Sequence, residues 1–231
     1  MSLQKLKSEI RKEANPEKAA HLQRFFKTGP GQYGEGDIFL GLTNPQSHSL
    51  VKKYSSLELK DVQSLLNSKI HEERLIALLI LVKQFKKTKS KEIFDLYLKN
   101  THNINNWDLV DLSAHKIVGA YLENKPRDIL YKLAKSNLLW DRRISIISTF
   151  AFLPNKDFND AISLSEILLQ DKQDLMHKAV GWVLREIGKK DLPTLQTFLK
   201  KHYKIMPRTM LRYSIEKFPE DVRKMYLRGE I

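Results

Sequence analysis

Apolar residues recur every three to four positions through segment after segment of this chain. The pattern runs through "LQKLKSEIRK", "AAHLQRFFK", "DVQSLLNS", "ERLIALLILVKQF", "KEIFDLYLKN", "RDILYKLAKS", "DAISLSEILL" and "VGWVLREI". Apolar positions at that spacing fall on one face of an α-helix, so each segment predicts a helix with a buried stripe. Neither the strict alternation of a half-buried strand nor a βαβ rhythm is visible. Short polar connections, mostly two to six residues long, separate the helices, as between paired helices. Asn15-Pro16 and Asn44-Pro45 each read as an N-cap followed by proline at the first helical position, where a missing N–H leaves no bond unmade.

Five segments open alike. They are "HEERLIALLIL" at 71, "NWDLVDLSAHKI" at 106, "WDRRISIISTF" at 140, "LMHKAVGWVLREI" at 175 and "PRTMLRYSIEKF" at 207. A second helical pattern follows each of the early ones, so the unit is a helix pair with a period in the mid-thirties. Such a period predicts an all-α fold, an α-solenoid of HEAT-like helical repeats with a concave basic groove. The tetratricopeptide consensus is missing. The expected organisation is one domain over residues 1–231. Residues 1–60 hold N-terminal helices and a Gly-rich loop, and residues 61–231 hold paired-helix repeats. That loop, "TGPGQYGEGD" at 28–37, contains G-x-G-x-x-G at Gly29, Gly31 and Gly34. The motif means dinucleotide binding only between a strand and a helix. A helical pattern precedes it here, so a flexible or tightly turned loop is expected instead.

Charge then narrows the function. Forty Lys and Arg against 27 acids give a net charge of +13, which points to an acidic partner, nucleic acid first, or serves solubility alone. The polar residue early in each repeat helix is Arg74, Asp111, Arg143, Lys178 and Arg212 in turn. Four cations and one acid at one repeat position read as a phosphate-tracking stripe, with Arg142 widening it, or as ordinary solvated helix starts. Trp107 and Trp182 lie one turn from Asp111 and Lys178, on the same helix faces. They are core residues or flanks of the groove.

The chain has no cysteine, which removes disulfides, thiol nucleophiles and thiolate metal sites. Its seven histidines lack metal-ligand spacing, so no metal and no cofactor are expected. The charged start is no secretory signal, and the longest apolar run, residues 75–82, is far short of the roughly 20 residues that cross a bilayer. A cytoplasmic monomer with access to the chromosome is expected.

Asp111 is the odd member of the stripe, because a carboxylate among phosphates is repulsive. It either pairs with Arg143 of the next repeat or stabilises a cation that forms on the nucleic acid. Cleavage of an N-glycosidic bond makes such a cation on the sugar. Asp108, in the first turn, is expected to serve the helix dipole.

"WDLVD" (107–111), "LWDRRISI" (139–146), "KAVGWVLREIGKKD" (178–191) and "RFFKTGPGQYGEGDIFLGLTNP" (24–45) together resemble hallmark segments of the AlkD-like DNA alkylation repair glycosylases. The likeness runs from residue 5 to 225. It implies a HEAT-like monofunctional DNA glycosylase that removes cationic N3- and N7-alkylated purines from double-stranded DNA and leaves an abasic site. By carry-over, Asp111 is the catalytic carboxylate, Trp107 and Trp182 contact the lesion's deoxyribose, and Arg143 binds the backbone; the other cations of the stripe, Arg142, Arg74, Lys178 and Arg212, are expected to bind the backbone too. Asn106 stands where many relatives carry a second aromatic residue, and Ser47-His48 replace basic residues. The alternatives are a non-catalytic helical-repeat protein that binds damaged or branched DNA, and a solenoid that binds acidic protein partners.

Overall fold

A computed structural model describes residues 2–231. The chain divides into two compact units, one up to Tyr121 and one of Leu122–Ile231.

The first unit begins with α1 (Leu3–Lys12) and α2 (Pro16–Phe25). The Asn15 side chain accepts from the Lys18 N–H at 2.9 Å, so Asn15-Pro16 is the expected cap. The second Asn-Pro differs by one position. Helix α3 (Asn44–Lys53) is capped by Thr43, which exchanges bonds with Gln46, so Asn44 is already helical. Then come α4 (Leu59–Leu66), α5 (His71–Thr88), α6 (Lys91–Lys99) and α7 (Trp107–Ala114). A π-helical turn, His115–Gly119, and a last turn, α8 (Ala120–Leu122), extend α7.

The second unit holds α9 (Asp128–Ala134), α10 (Leu139–Ser148), α11 (Asn159–Ile167), α12 (Asp174–Lys190), α13 (Leu192–His202), α14 (Arg208–Ser214) and α15 (Glu220–Arg228). The five repeat helices of the sequence are α5, α7, α10, α12 and α14, with α6, α9, α11, α13 and α15 as their partners. The molecule is all-α, built of helical repeats. Among the described residues the one departure is a parallel bridge between Ile38 and Ile70.

Helix α5 is the core of the first unit. Leu75 through Leu81 are buried on every face, packed on α3, α4 and α7. In the second unit α12 plays that part, against α10, α13 and α14. Gly181 lets α12 cross α14 closely: a Cβ there would meet the Met210 carbonyl at 2.6 Å. Among the described residues no helix is long and apolar enough to cross a membrane.

The Gly-rich loop is tightly turned. Gly31 and Gly36 have φ of +73° and +84°, a region that favours glycine. The Gly34 N–H donates to the Lys27 carbonyl at 3.1 Å. A Cβ on Gly34 would lie 2.5 Å from the Phe26 carbonyl and 3.4 Å from the Asn106 amide nitrogen. The loop therefore lies directly against the start of α7.

Candidate functional site

Four consecutive charged residues, His71, Glu72, Glu73 and Arg74, open α5, and all are buried, at 1–4% exposure. The next two turns, Leu75–Leu81, are apolar on every face and so interior, and the charged first turn must find partners inside. Each residue does. Glu72 accepts the backbone N–H groups of Leu40, Gly41 and Leu42, at 2.8–3.3 Å. Glu73 faces Lys7 at 3.3 Å and Arg11 at 3.6 Å on α1. Arg74 donates to the Ser68 carbonyl at 2.7 Å, and its Nη2 lies 2.7 Å from Asp37. That last contact is an ion pair by distance without a well-aligned N–H bond.

His71 bridges two carboxylates. Its Nε2 is 2.8 Å from Asp108 of α7 and its Nδ1 is 3.1 Å from Asp37 of the Gly-rich loop. Burial alone would push His71 down, but Asp108 and Asp37 override it and hold the imidazole up at about 9. Burial likewise works against ionised Asp37. The His71 and Arg74 cations and an Asn105 amide bond outweigh it, keeping that carboxyl below its ordinary value. Asp108 is therefore more than the helix-dipole residue expected: it is also the anchor of α7 on His71.

Trp107 begins α7. It is half-buried and stacks on Phe26, with ring centroids 5.3 Å apart and planes 20° apart. Phe25, at the end of α2, meets the same indole edge-on at 6.1 Å and is itself 56% exposed. Asn106 caps the helix, its side chain accepting the Trp107 N–H at 2.8 Å. One turn on, on the same face, stands half-buried Asp111. The π-turn at His115–Gly119 follows at once. His115 is pushed down to about 4, by burial first and then by the charge of Lys116.

In the second unit, Trp182 is half-buried on α12 and tilts against Phe150, with centroids 4.6 Å apart. Lys178, one turn before it, pairs with Asp174 at 2.8 Å. Arg212 on α14 is exposed.

Three of the arginines expected to bind the backbone, Arg74, Arg142 and Arg143, have partners within the protein. Arg74 is 4% exposed and held by Asp37 and Ser68. Arg142 is latched to Asp171 at 2.6 Å and to the carbonyls of Ser136 and Asn137. Arg143 is 4% exposed and donates to the Leu175 carbonyl at 2.5 Å. In each case a repeat-helix arginine fastens the turn before its own helix or the start of the next. The register of charge along the repeats thus serves packing as well as any partner.

His71 and Asp37 are functional candidates that sequence reasoning missed. The signal was present: charged residues heading the unbroken apolar run Leu75–Leu81 lie on a helix segment with no solvent-facing side. Among the described residues no group of three or more His, Asp or Glu side chains is arranged to hold a metal ion. What the first unit offers is an aromatic surface beside a carboxylate, on a helix start fixed by buried charge.

The family model for the DNA alkylation repair enzyme matches residues 6–218. No curated protein matches the chain. Among solved structures, one described as a predicted DNA alkylation repair enzyme from Enterococcus faecalis is similar with a TM-score of 0.74 at 15% identity. That likeness covers 90% of this chain and 98% of the other, and it shows a shared fold. On the extent of the family match, the chain belongs to the DNA alkylation repair enzyme family.

Proposed function

We propose that the protein is a monofunctional DNA glycosylase that hydrolyses the N-glycosidic bond of N3- and N7-alkylated purines in duplex DNA. The observation that carries this reading is the pairing of Trp107 and Asp111 on one face of α7, beside exposed Phe25.

The substrate explains the sparseness of the site. Alkylation at N3 or N7 gives the purine a formal positive charge. When the bond to C1′ breaks, its electron pair passes to the purine, which leaves neutral. No general acid has to protonate it. The deoxyribose is left as an oxocarbenium-like cation, and a carboxylate nearby lowers the energy of that species. Asp111 takes this part. Water then attacks C1′ and gives up a proton, leaving a free alkylated base and an abasic site. Asp111 orients that water, and Trp107 packs on the deoxyribose.

Backbone binding falls to cations whose side chains reach solvent. Lys178 and Asp174 form an exposed i,i+4 pair worth little in water, so phosphate can replace Asp174. Arg212 is exposed. The net charge of +13 supports a polyanionic partner. The reaction needs no cofactor.

The test is incubation of the protein with methylated duplex DNA, reading both the free base and the strand. The proposal predicts 3-methyladenine or 7-methylguanine in solution and an abasic site in the DNA. DNA binding without base release would favour a non-catalytic damage binder. Absence of any salt-sensitive DNA binding would favour a protein-binding solenoid.

A further inference from the structure

We propose that His71 is a positioning residue for the α7 site: it ties the Gly-rich loop to the first turn of α7 and so fixes where Trp107 and Asp111 stand. This inference rests on the glycosylase reading, and its own readouts are chosen to survive the failure of that reading.

The geometry is specific. Both ring nitrogens of His71 face carboxylate oxygens, Asp108 at 2.8 Å and Asp37 at 3.1 Å. A neutral imidazole has one N–H and one lone pair, so only the doubly protonated ring donates to both. His71 and Arg74 then balance Asp37 and Asp108 within a buried cluster of two cations and two anions. Asp37 also accepts from the Asn105 amide at 2.8 Å, beside the Asn106 cap of α7. The ring faces are used as well. Phe39 stacks on His71 at 4.3 Å, Phe26 lies over it at 5.2 Å, and Phe26 in turn stacks on Trp107. One imidazolium thus reaches α7 twice, through Asp108 and through the aromatic stack. Loss of its second proton turns a lone pair toward a carboxylate and pushes one contact apart. Besides Asp37 and Asp108, the charged group facing His71 is Arg74 of its own helix, which disfavours the second proton.

The experiment compares wild type with His71→Phe, which keeps the ring stack, and with Asp108→Asn, which keeps the shape of the side chain. Single-turnover release of 7-methylguanine from methylated DNA is followed from pH 6 to 10, together with DNA affinity. The expected result is a fall in the release rate of about 10- to 100-fold in both folded variants, with affinity largely kept. Wild type loses rate as pH rises through the His71 titration, and His71→Phe lacks that limb. A folded His71→Phe with wild-type rate, or with the same basic limb, overturns the proposal. If His71→Phe does not fold, Asp108→Asn and the wild-type titration decide. If wild type releases no base, the glycosylase reading fails separately. The positioning is then read by 19F NMR of 5-fluorotryptophan protein, with the Trp107 resonance assigned by its loss in Trp107→Phe. That resonance should shift in step with the His71 titration, and a Trp107 signal constant across that range refutes the inference.

Discussion

The indole of Trp107 lies face to face with the ring of Phe26, with centroids 5.3 Å apart and planes 20° apart. Adjacent phenylalanines therefore do different work. Phe26 is 8% exposed and supports Trp107 from beneath, while Phe25 is 56% exposed. Phe26→Leu should cost about 1–2 kcal/mol in urea unfolding, from the lost stack and the smaller side chain. It should also weaken binding to methylated DNA. Phe25→Leu should leave stability nearly unchanged. Equal stability losses in the two variants would contradict this division.

Two histidines set opposite pH limits on stability. His71 is held at about 9 in the folded protein against an ordinary value of 6.5. A raised value means that the folded state binds the proton more tightly. Its stabilisation is complete below pH 6.5 and is lost as pH rises through 9, with a span of about 3 kcal/mol. His115 is pushed down to about 4 and works the other way, so stability falls as pH drops from 6.5 toward 4. Urea denaturation across pH 4–9.5 should show a maximum near pH 6.5. His71→Phe should remove the basic decline and leave the acidic one.

Gly34 is required by close approach, since its φ is not positive. Gly34→Ala would drive a Cβ to 2.5 Å from the Phe26 carbonyl, a backbone atom that cannot swing aside. The expected cost is about 1–3 kcal/mol, with base release reduced because the loop touches the α7 cap. Gly31→Ala meets no neighbouring atom and is strained only by its positive φ, so it should cost about 1–2 kcal/mol, the smaller of the two losses. Thermal melts of the two variants check the order.

The salt dependence of DNA binding separates cations that face phosphate from those that hold the fold. Lys178→Ala and Arg212→Ala should each lower the slope of log K against log salt by about 1. Arg74→Met should leave that slope unchanged and lower the melting temperature, because Arg74 is buried on Asp37 and Ser68. A reduced slope for Arg74→Met would return that residue to the DNA-binding surface.

Helix identity and repeat register were legible because apolar spacing directly reports which face is buried. The start of α5 at His71, of α7 near Trp107 and of α12 near Leu175 all follow from it. Sequence spacing could not separate an arginine that faces solvent from one turned inward. Arg74, Arg143 and Arg212 hold the same repeat position, yet only Arg212 is exposed. The partners of the first two, Asp37 and the Leu175 carbonyl, lie 37 and 32 residues away in sequence. The Thr43 cap shows the same limit locally. Asn-Pro suggests a cap at Asn44, and the Thr43–Gln46 exchange moves it back by one. The His71 bridge needed three separate segments to be placed together, which no local pattern encodes.

In the proposed reaction Asp111 stabilises the cation formed on the sugar. Its most direct test is single-turnover release of 7-methylguanine by wild type and by Asp111→Asn, with DNA affinity measured on the same substrate. The amide keeps the size of the side chain and removes its charge. The expected rate for Asp111→Asn is lower by about 100-fold or more, with affinity kept or increased because a charge that repels phosphate is gone. An unchanged release rate in Asp111→Asn would contradict it.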